Sequence, residues 1–218
     1  MDAAFYFDVL YPLQEQVLKV LNRIETGFYL TGGTAASRGY LNHRFSDDLD
    51  FFVNDDERFL LWADRWIQAL LGTWPVEIAL REERFVRLFL EAPDVTLKIE
   101  MVNDVPSRAG TVRVHPLLGR LDSPENILAN KITAVLDREE PKDLADIWGF
   151  CTRLGLSLRE AIEGAQGKAI GVFPPDVARV LCSATEEDWA LVRWIDAPPV
   201  EQYLADLRAL GDALILPD

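Results

Sequence analysis

Thr31-Gly32-Gly33-Thr34 and, thirteen residues further on, Asp48-Leu49-Asp50-Phe51 decide how this chain is read. Either half alone is common. A Gly-Gly pair usually marks only a turn, and Asp-x-Asp arises often by chance. Together they fit one chemistry. Phe28 to Thr31 has the composition of a short strand, the glycines punctuate a turn, and Thr34 is placed to N-cap a short helix running to about Tyr40. Asp48 to Val53 then reads as a second strand. Its period of two sends Leu49, Phe51 and Val53 into a core and sets Asp48 and Asp50 together on the other face. Neighbouring carboxylates repel unless a cation lies between them. A hard divalent ion such as Mg²⁺ suits oxygen-only ligands completed by substrate phosphates. The turn before the helix offers backbone N–H groups, a positive helix end and, at glycine, room for a phosphate to approach. Phosphate on one side and metal-holding acids on the other is the layout for phosphoryl or nucleotidyl transfer.

Working outward, Tyr11 to Arg23 and Phe59 to Leu71 have the apolar spacing of helices. Arg84 to Leu90 and Val95 to Val102 read as strands joined at Ala92-Pro93-Asp94, and Thr111 to Val114 as a fifth. In Leu97-Lys98-Ile99-Glu100-Met101-Val102, Glu100 falls on the face opposite Leu97, Ile99 and Met101. An acid within an apolar strand needs a partner, and a shared metal would be one. The alternative is an edge-strand acid facing water beside Lys98. Ser123-Pro124-Glu125 combines a capping Ser, a Pro at the first helical position and a first-turn acid, and opens a different composition. Helices follow at about 124–137, 141–154, 157–167, 175–183 and 200–210. The expected organisation is an α/β part over residues 1–121 and a helical part over 122–218.

Composition narrows the classes. Hydrophobic residues make up 49% and charged residues 27%, ordinary globular usage. The net charge of −14 argues against a general nucleic-acid coat protein, since phosphate neutralisation needs basic surface. Cys151 and Cys182 form no CxxC pair and read as reduced thiols. Met1 to Leu10 lacks the basic start of a secretory leader, and no apolar run reaches the roughly 18–20 residues of a membrane helix. A soluble, cytoplasmic protein with no membrane partner is expected. No GxxxxGK[ST] is present, so a P-loop is excluded.

The strand, the Gly-Gly-Thr turn, the short helix and Arg44-Phe45-Ser46-Asp47-Asp48-Leu49-Asp50-Phe51-Phe52 resemble the nucleotidyltransferase superfamily, and the Arg-x-Ser-x-Asp-Leu-Asp-Phe form is similar to its AbiEii/AbiGii toxin branch. A second block, Leu128-Ala129-Asn130-Lys131, then Arg138, then Lys142-Asp143-Leu144-Ala145-Asp146-Ile147, resembles the branch's helical motifs. The resemblance implies an α+β fold: a polymerase-beta-like mixed sheet with flanking helices, followed by helices. It implies that Asp48 and Asp50 hold Mg²⁺ (two ions, with Mn²⁺ as a substitute) and that Glu100 completes the metal site. It further implies triphosphate binding by Gly32, Gly33 and Thr34; Arg44 and Ser46, in the same stretch, are candidate nucleotide contacts.

The second block can be read independently. Lys131 has core-facing neighbours at Ile127, Leu128 and Val135, so its ammonium needs an anion or a route to water. A substrate phosphate would serve; a lysine snorkelling at the rim of the core is the alternative. Asp143 is either part of the nucleotide site or an ordinary first-turn acid after Pro141. Arg44 either contacts phosphate or pairs with Asp47. The six tryptophans read as core or interface.

The expected activity is transfer of a nucleoside monophosphate from NTP to an acceptor hydroxyl on tRNA, protein or a small molecule. By resemblance, the chain would be the toxin half of a toxin–antitoxin or phage-defence pair, with a cognate antitoxin as partner. Two other readings stand beside it: a nucleotide- or partner-binding module without turnover, and a small-molecule (antibiotic-type) nucleotidyltransferase.

Overall fold

Strand alternation builds a single mixed sheet in the computed structural model, which describes residues 3–215. Among these residues the strands are β1 (Tyr29–Thr31), β2 (Leu49–Asn54), β3 (Val76–Arg81), β4 (Phe85–Ala92), β5 (Val95–Asp104), β6 (Arg113–His115) and β7 (Gly119–Leu121). Their order across the sheet is β3-β4-β5-β2-β1-β7-β6. β2 runs parallel to β5 and antiparallel to β1, and β1 runs parallel to β7. Leu49, Phe51 and Val53 of β2, Val86, Leu88 and Leu90 of β4, and Leu97, Ile99 and Met101 of β5 are all buried. The period of two in each segment therefore produces one shared apolar face. Helix α4 (Phe59–Leu71) covers part of it, with its Trp66 ring 4.6 Å from that of Phe28 and 4.7 Å from that of Phe51.

The chain divides into two compact units. The first holds the sheet: residues up to Ala35, Ser46–Pro106 and Val112–Asp122. The second holds Ala36–Phe45, Ser107–Thr111 and the residues from Ser123 on. The N-terminal helices are α1 (Ala3–Phe5), a π-helical continuation at Tyr6–Leu10, and α2 (Tyr11–Leu21). α3 (Gly32–Thr34) is followed by a π-helical stretch at Ala35–Leu41. Helix thus begins at Gly32, and Thr34 is its third residue, not the expected cap. In the second unit lie α5 (Pro124–Arg138), α6 (Pro141–Thr152), α7 (Leu158–Gln166), α8 (Pro174–Cys182), α9 (Glu186–Leu191) and α10 (Val200–Ile215). Trp62, Trp66 and Trp148 are buried, as their sequence reading expects. No helix among the described residues is long and apolar enough to cross a membrane.

Candidate active site

β5 lies inside the sheet, between β4 and β2, so Glu100 is not the edge-strand acid that one sequence reading allowed. The parallel register of β2 and β5 sets Asp50 directly opposite Glu100. On the other side of each, Thr31 faces Asp50 and Arg87 faces Glu100. One row across four strands thus reads Thr31, Asp50, Glu100, Arg87. Asp48, just before β2, shares the face, and all three acids are half-buried. Arg87 and Lys98 lie against two of them, Glu100 and Asp48. Arg87 Nε donates to Glu100 Oε1 at 2.7 Å. The Lys98 ammonium lies 2.9 Å from Asp48 Oδ2 and 3.4 Å from Glu100 Oε1. Burial lowers the Lys98 pKa, but its hydrogen bond to Asp48 and the charges of Asp48, Glu100 and Asp50 more than offset this and raise it.

The glycine turn closes on the same point. Gly32 has φ +64°, a left-handed conformation that glycine adopts without strain, and a β-carbon there would sit 2.3 Å from Asp50 Oδ2. Position 32 therefore requires glycine twice over: for its backbone angle and for the approach of a carboxylate. Thr34 and Ser46 are buried. Thr34 Oγ1 donates to the Asp48 carbonyl oxygen at 2.5 Å and shares a hydrogen bond with Ser46 Oγ at 3.1 Å. Gln14 Nε2 donates to the Asp47 carbonyl at 2.9 Å. These bonds fix the backbone from which Asp48 projects.

Oxygen-only donors on one face suit a hard divalent ion, and an ammonium already rests between two of them. Asp48, Asp50 and Glu100 are thus a chemically fitting ligand set. They share the face without converging: among the described residues no three His, Cys, Asp or Glu side chains form a ready-made cage.

The other expected site residues form a constellation within the second unit. Asp146 is fully buried. It accepts from Arg44 Nε and Nη2, both at 2.7 Å, and from His43 Nε2 at 2.9 Å, and the Lys131 ammonium is 2.7 Å away. Lys131 also donates to Asp143 Oδ1 at 2.7 Å, and Arg138 Nε donates to Asp143 Oδ2 at 2.8 Å. The inward lysine foreseen from α5's spacing thus finds its anions within its own chain. Burial works against the charge of Asp146, yet Arg44 and Lys131 hold its carboxyl well below the usual range; Asp143 is lowered by Lys131 and Arg138 in the same way. Lys131 is pulled down by burial and raised more strongly by Asp146 and Asp143. His43 is lowered, because burial outweighs Asp146. Its Nδ1 has no hydrogen-bond partner among the described residues. A neutral ring donating through Nε2 satisfies this geometry, whereas a protonated ring would bury an unpaired N–H.

Arg44 and His43 reach Asp146 across 102 and 103 residues, a link no local signal carries. Lys98 was visible in the sequence only as the neighbour of Glu100. Its bridging of two acids follows from the β2–β5 register, which spacing along one strand does not reveal.

A family model described as nucleotidyl transferase AbiEii toxin, type IV toxin–antitoxin system, matches residues 19–188. No curated protein matches the chain. Two crystal structures from Helicobacter pylori are similar. One, described provisionally as a nucleotidyltransferase, has a TM-score of 0.63 at 20% identity and covers 93% of each chain. The other, JHP933, has a TM-score of 0.61 at 23% identity, covering 93% of this chain and 89% of its own. At such identities the likeness shows a common fold.

Proposed function

Because the chain belongs to the AbiEii nucleotidyltransferase toxin family, we propose that it moves a nucleoside monophosphate from an NTP to an acceptor hydroxyl in a Mg²⁺-dependent reaction, as the toxin half of a toxin–antitoxin pair. The observation that supports this most strongly is the placement of Asp50 opposite Glu100, with Asp48 on the same face and Gly32 pressed against the Asp50 carboxylate. Asp48, Asp50 and Glu100 are the residues that would hold the metal, which when bound neutralises charge on the reacting phosphates. Gly32 presents backbone without a side chain beside Asp50, and Gly33 follows it in α3, a turn that a triphosphate can approach. Thr34 and Ser46 act one step back, by fixing the Asp48 backbone. Arg87 orients Glu100, to which we assign acceptance of the proton from the acceptor hydroxyl.

The test is incubation of the pure protein with each labelled NTP and Mg²⁺, using total tRNA, cell protein or a small-molecule extract as acceptor. Label should pass to one acceptor class from one preferred NTP. Replacing both motif acids (Asp48→Asn with Asp50→Asn) should lower transfer on the order of 10³-fold, the scale of losing several kcal/mol of charge stabilisation. Stability should change by no more than about 1 kcal/mol, since the Lys98 pair lies half-exposed and like-charge repulsion is relieved. Wild-type transfer by the double variant would overturn the assignment.

A further inference from the structure

The acidic face already carries a cation of its own. Continuing the β2–β5 register back from Leu49 and Ile99 by one residue brings Asp48 opposite Lys98. From there the ammonium reaches Asp48 Oδ2 at 2.9 Å and Glu100 Oε1 at 3.4 Å, touching one oxygen on each of two acids. Arg87 is held differently: it meets Glu100 alone, through Nε, from the neighbouring antiparallel strand. The two cations are not equivalent. Lysine is a compact point charge on a flexible stem, whereas arginine is a rigid planar fork. A divalent ion seated on Asp48 and Glu100 needs the oxygens the ammonium now touches, and two cations at that spacing repel.

We propose that Lys98 is a tethered cation that keeps Asp48 and Glu100 together while no metal is bound, that a divalent ion binds by displacing it, and that Arg87 remains on Glu100 throughout. The proposal rests on the metal role given above to the three acids. Lys98 thereby sets the apparent metal affinity of the site. The acids are neutralised and spaced before metal arrives, at the cost of weaker metal binding. The competing contact is a half-exposed ion pair, with the lysine side chain 30% exposed, so its strength is that of a surface pair.

The test is direct titration of the metal-stripped full chain with Mn²⁺, followed by electron paramagnetic resonance at 0.15 M ionic strength and without NTP. Lys98→Met and Lys98→Gln should each bind Mn²⁺ about five-fold more tightly than wild type, the factor expected for loss of one competing surface pair. Equal thermal melts of the Lys98 variants and wild type show that they are folded, and two further variants control for the loss of charge alone. Arg81→Met removes the same charge elsewhere on the unit, from an exposed pair with Asp64, and should leave affinity unchanged at an ionic strength where screening acts over about 8 Å. Arg87→Met removes a cation from Glu100 Oε1 but leaves Lys98 on both acids, so it should tighten binding less than either Lys98 variant. If the Lys98 variants bind no more tightly than Arg81→Met, or more weakly, the displacement idea fails. A separate outcome sinks the metal reading itself, and this proposal with it: no Mn²⁺ bound by wild type or by either Lys98 variant, or binding that survives Asp48→Asn with Asp50→Asn.

Discussion

An ammonium group inside a protein persists only beside anions, and Lys131 has two within 2.7 Å. Lys131→Met keeps the apolar stem but leaves Asp143 and Asp146 short of one positive charge. Breaking a buried ion pair from one side costs roughly 3–5 kcal/mol. Arg44, His43 and Arg138 still serve the carboxylates, so a loss near the lower end, about 3 kcal/mol, is expected in urea unfolding. The spacing around Lys131 showed that its side chain turns inward and needs an anion or a route to water. It did not show that the anion is supplied by α6. The acids of the sheet divide the same way. Period two placed Asp48, Asp50 and Glu100 on polar faces, because alternation is local. That Asp50 meets Glu100 is a matter of pairing between strands about fifty residues apart, as the register Asp50↔Glu100 shows, and such pairing is not written in either strand.

Ser123 shows how one residue can anchor an element. Its side chain accepts from the Asn126 N–H at 3.2 Å, as an N-cap does, and donates to the Ala109 carbonyl at 2.7 Å. Ser123→Ala removes both bonds and should lower the stability of the second unit by about 1–2 kcal/mol, read from chemical unfolding. This start was legible because capping is chemistry between near neighbours. Elements that escaped notice did so for stated reasons. β3 alternates in Val76-Glu77-Ile78-Ala79-Leu80 and could have been read, but its residues are mostly exposed, so no buried face reinforces the pattern. β7 has three residues, too few for a period. The π-helical turn at Tyr6–Leu10 is wider than 3.6 residues, so an α-helical template passes over it, whereas the helix read up to about Tyr40 is present as α3 and the π-helical Ala35–Leu41. α9 carries a full capping box, Thr185 with Asp188, a signal that could have found it. α10 runs past Gly211 because that glycine is not a stop. A β-carbon there would meet Cys182 Sγ at 2.6 Å and the Ala178 carbonyl at 3.0 Å, so Gly211 lets α8 and α10 pack closely.

At the scale of the whole molecule, the buried charges make stability a function of pH. His43 is held below its usual pKa, so the unfolded chain binds more protons than the folded one as pH falls below about 6.5, and stability declines there. Asp143 and Asp146 are also held below their usual values. Their contribution is complete above about pH 4–5 and is lost on further acidification through the folded values. Both effects have the same sign. Unfolding free energies measured from pH 8 to pH 3, with near-ultraviolet circular dichroism of Trp148 and Trp194 as the signal, should fall in two stages. His43→Gln should flatten the upper stage and leave the lower one. Nothing in the local sequence marks Ala36–Phe45 as part of the second unit; its membership is expressed in bonds to residue 146. That separation also has a meaning in time. A ribosome adding about 5–20 residues per second delivers Asp146 some 5–20 s after Arg44. Until then His43 and Arg44 have no buried carboxylate to settle on, and the second unit cannot close. The nascent chain therefore stays incomplete through most of its own synthesis, and the second unit closes only late, on a residue made long after the pair that holds it.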